Sequence, residues 1–258
     1  MRKNIFLLLM VIGIFLSLNI SAQQTGTMYV AAKTGLSIRE KPDAGAKVLD
    51  KIPYGTKITI LDFEQERISI TTEGILGYWG KVKYNNKTGY IVDSYLFPWP
   101  PPKLATVKEM KNYFAQVTVP FGSKLVVKSG GMNNIEESGY ELQKQLYKNG
   151  AEWQHFLGYE YGSDTYFLPG FNLETGFLLL RLIPEFKDFF SEKDAFPTEN
   201  KMYKKGGIEY EIKIDQEIFD GGYTYKKKIR IEYSDGASYY LELYMLDSQL
   251  VVFYGSGV

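Results

Sequence analysis

The chain has 258 residues, which is enough for two domains of ordinary size, and its 30 basic side chains are balanced by 30 acidic ones. We therefore expect no nucleic-acid partner, because such a partner usually requires a basic stripe. Cysteine is absent, which excludes disulfide bonds, a thiol nucleophile and a lipid anchor on an N-terminal cysteine. Aromatic residues make up 16% of the chain, including 21 tyrosines, and this composition predicts a mainly β protein.

Residues 1–22 have the pattern of a secretory signal peptide. Arg2 and Lys3 provide a basic start, an apolar run follows over residues 5–18, and small residues stand at 21–22. Because this run is shorter than the roughly 20 residues that cross a bilayer, we expect cleavage near residue 22. The predicted protein is exported, periplasmic or secreted, and has no transmembrane anchor after cleavage. An uncleaved N-terminal anchor is the alternative.

Short strands are predicted after the leader. Leu36 and Ile38 lie two residues apart, which is the spacing of side chains on one face of a strand, and Pro42 then turns the chain away. Further strands are predicted over residues 48–52 and 58–61, where apolar and polar residues alternate around a turn.

A β-hairpin is predicted over residues 77–96, and the segment before it, residues 64–74, is expected to lengthen another hairpin. Asparagine and glycine within residues 85–89 tolerate the positive φ of a tight turn. The first strand of the hairpin alternates, with Gly80, Val82 and Tyr84 on one face and Trp79, Lys81 and Lys83 on the other. This pattern predicts a strand that is buried on one side.

The spaced motifs of this region resemble those of bacterial SH3-like (SH3b) domains. They are Trp79, Lys81-Val-Lys-Tyr84, Lys87-Thr-Gly-Tyr90 and Ser94-Tyr-Leu96, together with Leu36, Ile38, Arg39 and Pro42 near the start. Ser37, Glu40 and Lys41 depart from the usual pattern of the first loop. The resemblance covers residues 28–97 and implies a small SH3-like β-barrel that binds cell-wall peptide, as in peptidoglycan, or another envelope component such as an envelope protein.

The same resemblance implies a binding surface on this domain. Its expected members are the aromatic residues Trp79, Tyr95, Tyr54 and Tyr90, bordered by Arg39, Lys81 and Lys83. Aromatic rings with a few hydrogen-bonding groups suit peptide stems or sugars. Packing of Trp79 and Tyr95 against the linker or the second domain is the alternative.

Residues 98–103 are predicted to be a proline-rich linker, because each proline fixes φ and disfavours helix before it. Residues 104–258 are then expected to form a β-rich α+β domain, for which no family is recognised. An amphipathic helix is predicted at its start, from Leu104 to Phe114.

The rest of this second domain is predicted to be mostly strands. A turn at residues 161–164 separates two of them. Asn172 is a plausible N-cap for a buried helix over residues 173–183, although a strand is the alternative. Alternating apolar residues from 208 to 253 predict a four-stranded antiparallel β-meander.

Known catalytic patterns are missing from the sequence. With a single histidine, His155, and no Gly-x-Ser-x-Gly or phosphate-binding glycine motif, we expect no catalytic residue, no metal site and no cofactor. The predicted protein is therefore a non-catalytic exported envelope protein. Two alternatives remain: a carboxylate-based cell-wall hydrolase that uses Glu152, Glu160 or Asp164, and a protein-interaction or inhibitor module.

Overall fold

The computed structural model describes residues 26–63, 68–130, 139–218 and 224–258. The chain is mainly β, with two antiparallel sheets and two short α-helices, so the predicted fold class is confirmed. The predicted signal peptide and part of the segment 64–74 lie outside the described residues. Within the described part of the chain, no helix has the length and apolar character needed to cross a bilayer.

The N-terminal sheet contains eight strands. They are β1 (Thr27–Val30), β2 (Leu36–Arg39), β3 (Val48–Ile52), β4 (Lys57–Phe63), β5 (Ser69–Thr72), β6 (Ile75–Tyr84), β7 (Lys87–Val92) and β8 (Leu96–Phe97). Their order is β3-β2-β7-β6-β4-β1-β8, and β5 pairs with β6 as the predicted longer hairpin. A 3-10 turn, Asp93–Tyr95, joins β7 to β8.

One face of this sheet encloses a small apolar core. Leu36 and Ile38 are both buried there, as the spacing of two residues predicted, and Val82 and Ile91 of the β6–β7 hairpin are fully buried opposite them. Gly89 allows β2 and β7 to approach closely, because a Cβ at this position would lie 2.4 Å from the carbonyl oxygen of Arg39.

The C-terminal sheet contains nine strands. They are β9 (Pro120–Ser129), β10 (Tyr140–Tyr147), β11 (Glu152–Gly158), β12 (Tyr161–Pro169), β13 (Lys201–Lys205), β14 (Ile208–Ile218), β15 (Thr224–Ser234), β16 (Ser238–Leu246) and β17 (Gln249–Gly257). Their order is β13-β14-β15-β16-β17-β12-β11-β10-β9, with antiparallel pairing throughout. The predicted meander is present as β14 to β17. The turn predicted at 161–164 is wrong: Glu160 adopts a φ of 55°, which closes the turn two residues earlier and leaves 161–164 within β12.

Two helices accompany this sheet, α1 (Met110–Val117) and α2 (Leu173–Arg181). The first begins later than predicted, because Asn112 Oδ1 accepts hydrogen bonds from the backbone N–H groups of Lys108 and Glu109 and so caps the chain there. The second is a helix, not the alternative strand. Its N-cap Asn172 accepts from Thr175 N at 2.8 Å, as predicted.

Helix α2 lies directly on the sheet because it carries a glycine at the contact. A Cβ at Gly176 would be 2.0 Å from Leu250 Cδ2 and 3.7 Å from Leu243 Cδ2, both of which are buried side chains. Phe177 and Leu180 flank this contact and are almost fully buried. The glycine therefore sets the distance between the helix and the β16–β17 pair.

The two sheets are joined by a shared apolar core. Ala31, Ile75 and Phe97 of the N-terminal sheet belong to the core of the C-terminal sheet. The segment predicted to be a linker is part of this contact: the Trp99 ring lies 5.1 Å from Phe171, centroid to centroid, and Pro101 and Pro102 are buried. The domain boundaries stay a prediction, but residues 98–103 are packed, which their proline content alone did not indicate.

Because α2 lies so close to the β16–β17 pair at Gly176, a methyl group added at this position should destabilise the fold. Gly176→Ala should lower the free energy of unfolding by about 1–3 kcal/mol, because the overpacked contact outweighs the roughly 1 kcal/mol by which alanine favours a helix. Urea unfolding of the whole chain followed by circular dichroism measures this. Gly162→Ala is the matched control, since a Cβ there would meet nothing closer than 3.8 Å. Equal stability of Gly176→Ala and wild type would contradict the contact.

Candidate binding cleft

A cleft of about 540 Å³ lies between the two sheets. One wall comes from the N-terminal sheet and the loop between β1 and β2, and the opposite wall from α2 and the chain after it. Its main lining residues are Ala31 to Ser37, Arg39, Thr72, Glu73, Trp79, Tyr95, Leu178, Arg181, Leu182 and Glu192. This volume falls in the range of about 300–1,000 Å³ that is usual for small-ligand sites.

The aromatic part of the cleft comes from Trp79 and Tyr95. Trp79 lies on β6 opposite Val92 of β7, and its backbone N–H donates to Ile68 O at 3.0 Å. The indole is only 4% exposed, so β6 is covered on both faces at this point and the predicted one-sided burial is wrong here. Leu178 and Leu182 of the other wall line the same cleft.

Ion pairs between the two walls close one side of the cleft. Arg181, at the end of α2, donates from Nη1 to Glu73 Oε2 at 2.7 Å and from Nη2 to the backbone oxygen of Glu192. Lys33 Nζ lies 2.5 Å from Glu192 Oε1. The Arg181 side chain is 9% exposed, and a cation at that depth needs such partners because losing its hydration is costly.

Tyr95 lies beside this ion pair. Burial raises the pKa of its hydroxyl, the Glu73 carboxylate raises that pKa further, and Arg181 partly offsets both. Arg39 reaches the cleft from the other side, and its Nη1 donates to the backbone oxygen of Ala46 at 2.7 Å. The guanidinium therefore braces the loop between β2 and β3 while it lines the cleft.

A comparison with known protein families identifies the family of the N-terminal part of the chain. Residues 34–97 match the family model described as Bacterial SH3 domain. Residues 34–97 form a bacterial SH3 domain. No curated protein and no solved structure matches the chain, and no family is found for the C-terminal part. The predicted resemblance is thereby confirmed, over slightly fewer residues at its N-terminal end.

The SH3 domain brings together three of the seven predicted binding residues. Trp79, Tyr95 and Arg39 line the cleft. Tyr54 does not: its hydroxyl donates to Pro102 O at 2.7 Å, and burial raises its pKa. The remaining three also lie outside the cleft, with Lys81 Nζ 5.9 Å from the centroid of the Tyr90 ring and Lys83 exposed. A ligand-binding role for each of the seven stays a prediction.

The residues of the opposite wall were not predicted from the sequence, although packing of Trp79 and Tyr95 against the linker or the second domain was the alternative, and Tyr95 does pack against the core of the C-terminal sheet. Leu178, Arg181 and Leu182 were assigned to a buried helix without a connection to the SH3 domain. One signal was present: Arg181 follows three leucines and precedes a fourth apolar residue, and a buried arginine requires a specific partner. That partner, Glu73, lies 108 residues away in the sequence, so its identity is a property of the fold.

Two of the three carboxylates considered for catalysis, Asp164 and Glu152, are separated, and the third, Glu160, lies in the turn between β11 and β12. Asp164 accepts from Trp153 Nε1 at 2.6 Å and lies 3.2 Å from His155 Nδ1. Glu152 pairs with Phe167 in the sheet register and therefore points to the opposite face from Asp164, where it forms an ion pair with Lys144. Among the described residues, no group of three or more His, Asp or Glu side chains is placed to hold a metal ion.

Because Arg181 is buried, its ion pair with Glu73 should contribute more to the free energy of unfolding than the pair between Lys33 and Glu192. Arg181→Met should lower the free energy of unfolding by about 1–3 kcal/mol, the usual loss for hydrogen bonds to a charged group, discounted because Glu73 is 44% exposed. Lys33→Met is the control, and it should cost about 0–1 kcal/mol because its pair with Glu192 is more exposed. Urea unfolding measures both. Equal losses would show that burial does not distinguish the two pairs.

Proposed function

We propose that this protein is a non-catalytic exported envelope protein whose SH3 domain binds cell-wall peptide. Two observations support the proposal. Bacterial SH3 domains typically bind cell-wall components, and residues 34–97 form such a domain. In this chain the SH3 domain contributes Trp79 and Tyr95 to a cleft of ligand size, and this placement is the observation that carries the proposal.

The chemistry of the cleft suits a short peptide. Its centre is apolar and aromatic, with Trp79 and Leu178 on facing walls, and such groups provide contact area at a small entropic cost. Its border carries the cations Lys33 and Arg39 and the carboxylate of Glu73. A cell-wall stem peptide carries both amino and carboxylate groups, so a border of mixed charge can orient it.

The second wall makes the proposed site dependent on the whole chain. Leu178, Leu182 and Glu192 lie outside the matched SH3 domain, yet they face its aromatic residues across the cleft. A ligand would therefore be enclosed on two sides, in contrast to the exposed surface that the sequence predicted. An isolated SH3 domain would lack this second wall.

A non-catalytic role is supported by the engagement of the candidate acids. Asp164 is held by Trp153 and His155, and Glu152 by Lys144, so neither carboxylate stands free opposite a second one. A retaining or inverting glycosidase needs two carboxyl groups across one substrate. Glu160, the third candidate, lines a second cleft together with Glu209, Glu211 and Glu232, and zymography with Glu160→Gln and Asp164→Asn against wild type tests the hydrolase alternative.

Filling the cleft tests the binding proposal without removing a core side chain. Thr72 is half-buried and lines the cleft, whereas its neighbour Thr71 is exposed and points to the other face of β5. Thr72→Trp should weaken sedimentation with purified peptidoglycan at least about tenfold, a change of about 1.4 kcal/mol, because its indole would occupy the ligand volume. Thr71→Trp is the matched control and should bind like wild type.

Thermal unfolding of both variants shows whether the fold is retained. Competition by a soluble stem peptide separates peptide from glycan recognition, and the peptide is expected to compete. Equal binding by both tryptophan variants, or a wild-type protein that does not sediment with peptidoglycan, would contradict the proposal. Trp79→Ala is unsuitable for this test, because truncating an indole that is 4% exposed should cost about 3–5 kcal/mol of stability.

A further inference from the structure

The two edges of the C-terminal sheet differ sharply. The edge strand β13 has only five residues, and a short edge discourages pairing with another strand. The opposite edge strand, β9, has ten residues, and all of them are exposed. Within the described part of the chain, β9 pairs with β10 alone, so its other side presents unpaired backbone groups.

Strand β9 is also unusually apolar for an exposed edge. Phe121 is 62% exposed and Leu125 is 53% exposed, and Val126 and Val127 follow directly. Leu125 and Val127 point to one face and Val126 to the other, because side chains alternate along a strand. Gly122 has a φ of 72° and the register with β10 shifts at this point, so the regular part of the edge is residues 123–129. An apolar edge of this kind is a template for strand addition.

The charges on β9 determine what kind of strand can pair with it. Lys124 and Lys128 flank the apolar centre on the same face as Val126, and β9 contains no acidic residue. Lys124 Nζ donates to Gln143 Oε1 at 2.7 Å, and Lys128 Nζ lies 2.9 Å from Glu141 Oε2 while its side chain stays 54% exposed. The edge therefore carries a net positive charge along one face.

A second copy of this chain fits poorly against that edge. Symmetric antiparallel pairing about Val126 would place Lys124 of each copy directly opposite Lys128 of the other, and directly opposed like charges destabilise a strand pair. Pairing about Leu125 avoids direct opposition but still gathers four lysines without an acid from either strand. The lysines thus disfavour self-association, and the apolar residues between them favour a different strand.

We infer that β9 is a docking edge for an extended segment of another protein, one that alternates apolar residues with acidic residues. Such a segment adds a tenth strand to the sheet. Its apolar side chains pack beside Leu125 and Val127, and its carboxylates lie beside Lys124 and Lys128. The inference is independent of the proposed wall binding, because β9 contributes no residue to the cleft.

Synthetic peptides of defined charge test this inference on the full chain. The probes are two fluorescently labelled ten-residue peptides, one alternating valine with glutamate and one alternating valine with lysine. We expect the acidic peptide to bind at least about tenfold more tightly by fluorescence anisotropy, since two cross-strand charge pairs change from favourable to unfavourable between the probes. Lys124→Glu combined with Lys128→Glu should reverse this preference.

Matched variants at the two edges locate the binding. Leu125→Lys combined with Val127→Lys should reduce affinity for the acidic peptide about tenfold or more, although it adds positive charge, because strand addition needs the apolar pairs. Met202→Lys on β13 is the control, because Met202 is 63% exposed on the other edge and should leave binding unchanged. Light scattering over a concentration series follows the oligomeric state.

Several outcomes would overturn the inference. These are equal binding of both peptides, no binding of either, or equal losses from the variants at the two edges. A wild-type dimer that the double lysine variant dissociates would assign the edge to a second copy instead. If the double variant fails to fold by circular dichroism, the charge-reversal variant still decides, because its lysines are not part of the core.

Discussion

The packing of Phe97 and Trp99 against Phe171 joins the two sheets, and the geometry of the cleft depends on it. The ring centroids lie 5.4 Å and 5.1 Å apart, in the tilted and edge-to-face arrangements that aromatic rings prefer. Phe97 ends the SH3 domain, and the prolines that follow restrict φ, so the chain has little freedom between the two contacts. Once these rings are packed, α2 lies across the face that carries Trp79.

Electrostatics then fixes how the two walls meet. The turn after β5 carries Glu73, whose φ is 53°, and whose backbone oxygen accepts from Phe196 N at 2.8 Å while its carboxylate binds Arg181. One residue is therefore held by two different segments of the C-terminal part. Since charge-assisted hydrogen bonds are directional, this contact sets the rotation of α2 toward the SH3 domain as well as its distance. The cleft is preorganised by the fold, and a ligand would not need to assemble it.

Local patterns in the sequence were sufficient wherever neighbours along one strand or helix determine the structure. The spacing of Leu36 and Ile38, the turn at Asn85 and Asn86 and the capping of α2 by Asn172 all depend on residues within a few positions of each other, although the predicted turn ran too far, to residue 89. The burial of Trp79 could not be predicted in this way. Alternation along β6 assigned it to a solvent face, whereas it lines a cleft together with Leu178 and Leu182, about 100 residues away.

The same limit explains why the packing of residues 98–103 and the apolar edge of β9 were not predicted. Proline content predicts an extended backbone at residues 98–103, but it carries no information about what packs on that backbone. Strand β9 shows no clear alternation, because apolar residues occupy both faces of an edge where burial does not select between them. Alternation of apolar and polar residues reflects burial in the protein's own core. A surface that contacts a partner protein therefore shows weaker alternation in the sequence.

The nature of the cleft bears on the choice between binding and catalysis. A catalytic site keeps a reactive group available to the substrate, in a protonation state that suits the reaction. Here the strongest polar groups already bind one another across the walls: Arg181 with Glu73, and Lys33 with Glu192. A ligand can contact the outer sides of these pairs and the aromatic rings between them without displacing either partner. Paired charges of this kind can orient a bound peptide, which is the role that the proposed function gives them.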